Sequence, residues 1–136
     1  MGMDVWALRE GESIDSLGDC PPERYFRDSY GPHSLANWLT RNIDPAARGD
    51  WGLAIFTEPR LPLESNAWRA ELLRLATAWH EAALGLRGRT SLVGYPEDKS
   101  IMIPLQDTIG YIEHCEWLLT FAQTVAREGL RVVVSA

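Results

Sequence analysis

A helical spacing of apolar residues dominates the chain after Pro62. Trp68, Leu72, Leu75, Trp79, Ala82 or Ala83, and Leu86 recur at steps of about three and four. That spacing predicts one helix with both tryptophans and three leucines on a single stripe. Arg69, Arg74, Thr77 and Glu81 fall mostly on the opposite side. Ser65 or Asn66 caps the start, and Gly85 and Gly88 bracket the end, where positive φ is useful. A second helix is predicted from Asp107 or Thr108, just past Pro104, to Gly129. Its row is Ile112, Cys115, Leu119, Ala122 and Ala126, flanked by Ile109, Leu118 and Val125. Asp107 and Arg127 suit the positive and negative ends of that helix.

Four short apolar runs surround the helices: Leu53–Thr57, Thr90–Tyr95, Ile101–Leu105 and Leu130–Ser135. Pro96-Glu97-Asp98-Lys99 joins the middle pair as a hairpin turn. The order over 51–136 is then β-α-β-β-α-β. The expected fold is α+β, ferredoxin-like, an antiparallel sheet with two long helices on one face. The strands do not alternate cleanly. Val133 lies between Val132 and Val134, and Ile55 between Ala54 and Phe56, so both sheet faces are expected to be dry.

Residues 1–50 supply the expected cover for the second face, which makes 1–136 a single domain with a 51–136 core. Asp4–Leu8 reads as an edge strand. Ser34 caps a short helix carrying Leu35, Trp38 and Leu39, ending near Ile43 before Pro45. Tyr25, Phe26 and Tyr30 are expected to lie against the sheet. Between these elements the character changes. Glu10, Glu12, Asp15, Asp19 and Glu23 follow one another with no intervening Lys or Arg, and Gly11, Gly18, Pro21 and Pro22 break any regular element. This is an exposed acidic loop, read either as a solvated surface or as a docking surface for a basic partner.

Composition narrows the classes. The chain has 136 residues, 46% hydrophobic, and a formal net charge of −6, with a pI near 5.0. That charge argues against nucleic-acid binding through a basic face. No apolar run is long enough to span a bilayer, and no basic-then-apolar leader opens the chain, so a cytoplasmic location and no membrane partner are expected. Cys20 and Cys115 are expected as free thiols. Lys99 is the single lysine among 13 basic residues, which reads as a GC-rich bacterial coding bias.

Catalytic and metal motifs are weak. His80-Glu81 and Glu113-His114-Cys115-Glu116 lie on the two long helices, but neighbouring helical residues point about 100° apart, and the Glu-x-x-His metal pattern is missed. Gly85-Leu86-Arg87-Gly88 follows a helix, the wrong context for a phosphate loop. Asp28, Ser29 and His33 are near in sequence only, which is not a triad. No catalytic residue, metal ligand or cofactor is therefore assigned. Trp117 sits off the central row of its helix beside Glu113 and Glu116, as an interface anchor or a peripheral core residue.

The reading is a non-enzymatic protein-binding module, in concrete form a small acidic bacterial inhibitor of the toxin-neutralising immunity type. Its partner would be a basic protein such as a toxin domain, steered by charge. The partner-binding residues are Glu10, Glu12, Asp15, Asp19, Glu23, Glu113, Glu116 and Trp117. Two alternatives stand beside it. One is a small-molecule-binding or small enzyme domain with a pocket between sheet and cover, lined by Tyr25, Phe26, Trp38, Phe56 and Met102. His33, His80 or His114 would be its acid/base groups. The other is a structural homodimer.

Overall fold

The computed structural model describes residues 2–18, 20–95 and 98–135, with backbone alone for 95 and 98–106. In chain order the elements are β1 (Gly2–Leu8), β2 (Tyr25–Ser29), α1 (Leu35–Asn42), β3 (Arg48–Gly49), β4 (Gly52–Leu53), α2 (Ala54–Thr57), α3 (Asn66–Gly85), β5 (Thr90–Tyr95), β6 (Asp98–Asp107), α4 (Ile109–Glu128) and β7 (Arg131–Ser135). Single 3-10 turns at Ile14–Ser16 and Pro22–Arg24 punctuate the loop between β1 and β2. The protein is thus mixed helix and strand. Among the described residues no helix is long and apolar enough to cross a membrane.

Both long helices form where their periodicity places them. Ser65 accepts the Trp68 N–H through its hydroxyl (3.1 Å) at the start of α3, and Trp68, Leu72, Ala76, Trp79 and Ala83 are its buried stripe. Asp107 Oδ1 accepts the Ile109 N–H (2.8 Å) at the start of α4. Gly129, at φ 63°, closes that helix in the left-handed conformation that glycine adopts without steric cost. The two helices pack against each other. The Thr108 hydroxyl donates to Leu86 O (3.1 Å), fastening the start of one to the end of the other.

The sheet differs from the ferredoxin-like expectation. Three antiparallel strands form it in the order β2-β1-β7, while β3-β4 and β5-β6 are separate two-stranded ribbons. The N-terminal third is therefore not a cover. Its first strand, expected at an edge, is the middle strand, with Val5 opposite both Phe26 and Val134. The run expected as a first strand at Leu53–Thr57 is the last residue of β4 followed by one turn of helix. Leu53 and Phe56, three apart, are both buried, and the Thr57 hydroxyl donates back to Leu53 O (3.2 Å). Four apolar residues suit a helical turn as well as a strand, and only the packing decides.

The expectation of two dry faces is also corrected. Along β1, Met3, Val5 and Ala7 are fully buried, while Gly2, Asp4 and Trp6 are half-buried. The outer face carries Asp4, which pairs with Arg27 (2.7 Å) and accepts the Tyr25 hydroxyl. This is the alternation of an antiparallel sheet with one partly wetted face. The inner face packs on α4 through Phe26, whose ring lies 6.4 Å from Phe121 and 5.2 Å from Trp117.

The β5-β6 hairpin forms, but Asp98 and Lys99, expected in its turn, already belong to β6, with Asp98 opposite Tyr95; Pro96 and Glu97 lie outside the described residues. It docks on α1. The Trp38 indole donates to Ser91 Oγ (2.6 Å). Asn42 takes both backbone groups of Leu92, accepting its N–H (3.1 Å) and donating to its carbonyl (2.9 Å). One side-chain amide thus serves a strand edge as a neighbouring strand would.

Candidate functional site: an acidic face around Trp117

The loop from Arg9 to Arg24 is acidic by sequence but is held from inside by basic residues. Arg24 is buried; its Nε donates to Ala7 O (3.1 Å) and its Nη2 pairs with Glu12. Glu12 also accepts the Arg9 N–H (2.5 Å), and Arg131 donates to its carbonyl oxygen (3.0 Å). The Arg24 hydrogen bond, helped by the Arg9 N–H, holds the Glu12 carboxyl below its usual pKa. Glu12 therefore serves as the counter-charge of the buried Arg24.

The remaining positions separate. Glu10, Asp15 and Glu23 are exposed, and Asp19 lies outside the described residues. Glu10 sits at the far end of α4, beside Arg9, Glu128 and Arg131, in mixed charge. Glu23 lies in the turn fastened to the middle of α4, where the Trp117 indole N–H is shared between Pro22 O (3.0 Å) and Tyr25 O (2.7 Å). The same helix carries the exposed Glu113 and Glu116. Two acidic segments almost a hundred residues apart in sequence are thus tied together through one tryptophan.

Trp117 fills the peripheral core role rather than that of a free anchor. Its ring is half-buried and packs on Phe26 (5.2 Å), His114 (5.6 Å) and Tyr25 (6.0 Å). The basic groups nearest the face are engaged elsewhere, Arg24 with Glu12 and Arg27 with Asp4. Among the described residues Glu23, Glu113 and Glu116 have no ion-pair partner. The face is therefore net negative and faces solvent, the arrangement that attracts a cationic surface over roughly a Debye length.

The histidines are positioned by packing. His114 Nε2 lies 2.7 Å from Arg27 O, with its ring against Phe26 (5.2 Å). His80 is half-buried on α3, and His33 is exposed. Among the described residues no group of three His, Cys, Asp or Glu side chains converges to hold a metal ion. Cys20 and Cys115 are free thiols. Burial pushes the Cys115 thiol up to about 12, which removes it as a nucleophile near neutral pH.

The pocket expected under an N-terminal cover is filled. Phe26, Trp38 and Phe56 are at most 2% exposed and belong to the continuous core. Trp38 stacks flat on Tyr111 at 4.9 Å, and the Met102 side chain lies outside the described residues. A real concavity of about 400 Å³ lies elsewhere, between α3 and residues 44–61. Trp68 and Trp79 floor it. Their indoles donate to Ile55 O (2.9 Å) and Asp44 Oδ2 (3.0 Å). No sequence motif announces it, because its two walls, α3 and residues 44–61, are brought together by tertiary contacts that no local spacing encodes. Comparison of the chain with protein-family models, with curated proteins and with solved structures finds no match.

Proposed function

We propose that this protein is a non-enzymatic binding module that engages a basic protein partner through the face built by Glu23, Glu113 and Glu116 around Trp117. In its concrete form it is a small bacterial inhibitor of the immunity type, acting in the cytoplasm against a toxin domain with a cationic cleft. The observation that supports this reading is that the Trp117 indole ties the turn bearing Glu23 to the helix bearing Glu113 and Glu116, with all three carboxylates exposed and the neighbouring guanidiniums of Arg24 and Arg27 engaged internally. A nuclease-like toxin holds phosphate in a positive cleft, and carboxylates held in place compete for the same charges. Complementary charge of this kind raises the association rate and makes binding fall as salt rises.

The test is inhibition of a basic toxin domain encoded beside this chain, read as residual nucleic-acid cleavage. Inhibition is expected to fail in the triple charge reversal Glu23→Lys, Glu113→Lys and Glu116→Lys, while Glu10→Lys leaves it nearly intact. Association is expected to slow by roughly tenfold or more between low and physiological salt. Inhibition that survives the triple reversal, or an association rate indifferent to salt, refutes the proposal.

A further inference from the structure

We infer that the concavity between α3 and residues 44–61 is a binding site for a small organic cation, an amine or guanidine carried on an apolar body. The inference is independent of the acidic face, since it concerns a different part of the surface. Its volume of about 400 Å³ lies within the range of small-molecule sites. Its floor is apolar and rigid: Trp68 is fully buried and Trp79 is 3% exposed, and both indole N–H groups are already satisfied. A ligand body would meet carbon there, not unsatisfied polar groups.

The charges around the rim select the sign of the ligand. Three carboxylates, Asp44, Glu58 and Glu71, stand against two guanidiniums, Arg60 and Arg74. Glu71 and Arg74 neutralise each other in a two-pronged pair, Nε to Oε2 at 2.9 Å and Nη2 to Oε1 at 2.5 Å. Arg74 feels the Asp44 charge only as its smallest influence. Asp44 accepts neutral N–H groups, from Ala46 (3.0 Å) and Trp79 (3.0 Å). Glu58 accepts the Asp50 N–H (2.8 Å). Among the described residues neither has an ion-pair partner. Arg60 is exposed at the mouth and, among the described residues, has no ion-pair partner. The rim therefore presents two fixed anions and one swinging cation. A positive head group pairs with Asp44, where partial burial strengthens the attraction over its value in water, and with the exposed Glu58 beside it on the rim.

The experiment uses the full chain, labelled with ¹⁵N and titrated with benzylamine, benzyl alcohol and benzoate. These share one ring and differ in charge. The Trp79 indole resonance, assigned by its loss in Trp79→Phe, reports occupancy of this concavity. Benzylamine is expected to move it saturably with a Kd on the order of 1 mM, as suits so small a ligand. Benzyl alcohol and benzoate should move it several-fold less at equal concentration. Glu58→Gln keeps the acceptor for Asp50 and should weaken benzylamine roughly fivefold, the scale of one lost charge pair. Arg60→Ala, an exposed change that leaves the fold intact, should tighten benzylamine and weaken benzoate further. The inference is overturned if benzoate or benzyl alcohol matches benzylamine, or if benzylamine leaves the resonance in place at about 10 mM. Unchanged affinity in both variants overturns it as well. Should Glu58→Gln not fold, the ligand comparison and Arg60→Ala decide the matter.

Discussion

Helix α1 starts inside the protein, and Asp28 makes that possible. The first four N–H groups of a helix have no partner within it. Here they belong to Ser34, Leu35, Ala36 and Asn37, each at most 5% exposed. Asp28, at the end of β2, accepts two of them: Leu35 N–H at Oδ1 (2.8 Å) and Ala36 N–H at Oδ2 (3.0 Å). Ser34 Oγ accepts the Asn37 N–H (3.1 Å), and the Ser34 N–H itself donates to Gly31 O (3.2 Å). Asp28→Ala strands two buried donors at about 1–3 kcal/mol each, partly offset by no longer burying a carboxylate. The net loss expected is about 3 kcal/mol, a large share of a typical 5–15 kcal/mol. Ser34→Ala should cost only about 1 kcal/mol, the usual value of one cap. Urea unfolding followed by tryptophan fluorescence measures both. At a slope of about 2 kcal/mol per molar, the Asp28→Ala midpoint falls by roughly 1.5 M.

The acidity of Asp28 gives a second readout of the same group. Burial raises its pKa, against the opposing pull of the Ala36 and Leu35 N–H groups and of His114. A raised folded-state value means that the native state holds the proton longer. The associated stability is present below the unfolded value, near 4, and is lost as pH rises through the folded value. Asp28→Asn cannot titrate, so the wild-type advantage over it should shrink as pH rises across that window. An Asp28→Ala loss under about 1 kcal/mol refutes the reasoning, because it would mean that water reaches the first turn of α1. A wild-type advantage that grows with pH refutes the role given to burial.

Other perturbations bear on the loop, the aromatic edge and the thiols. Trp117→Phe keeps the ring but removes the N–H shared by Pro22 and Tyr25; calorimetry is expected to show about 1 kcal/mol of destabilisation, a few degrees in Tm. An unchanged Tm would mean that the turn is held by other contacts. Arg24→Ala strands Ala7 O and frees Glu12, so limited proteolysis should cut between residues 9 and 24 faster than in wild type, with cleavage elsewhere unaltered. With iodoacetamide at mildly alkaline pH, Cys20, which is half-buried, should be alkylated first. Cys115, buried and pushed to about 12, should react only on unfolding. Peptide mapping that finds equal labelling of both in the native protein would contradict that.

What the sequence made legible was local. The stripes of α3 and α4, the Ser65 and Ser34 caps and the Gly129 stop are each written within a few residues. What it hid was pairing between distant segments. Nothing near Asp4–Leu8 says that the strand is flanked on both sides, since its neighbours lie at 25–29 and 131–135. Asp28 reads as a loop carboxylate, although it caps a helix that starts seven residues later. Asn42 reads as a helix end, although it stands in for a strand beside Leu92. The acidic run was visible as composition, but its partition into an internal anchor at Glu12 and a solvent face at Glu23 depends on where Arg24 turns. The attachment of the turn bearing Glu23 to the helix bearing Glu113 and Glu116 depends on one indole proton, which no spacing rule contains.

The placement of β1 between β2 and β7 has a consequence for how the chain comes to its native state. While the protein is being synthesised, the β1–β2 hairpin is available early, but two strands alone are marginal in water. Their third partner, β7, is made about a hundred residues later. The helical ribbons can organise locally and fast, whereas closing this sheet requires the most remote stretches of the polypeptide to find each other. Until then the inner edge of β1 is an unpaired template with Val5 and Phe26 uncovered, and assembly is limited by that last encounter rather than by the helices that make up most of its ordered mass.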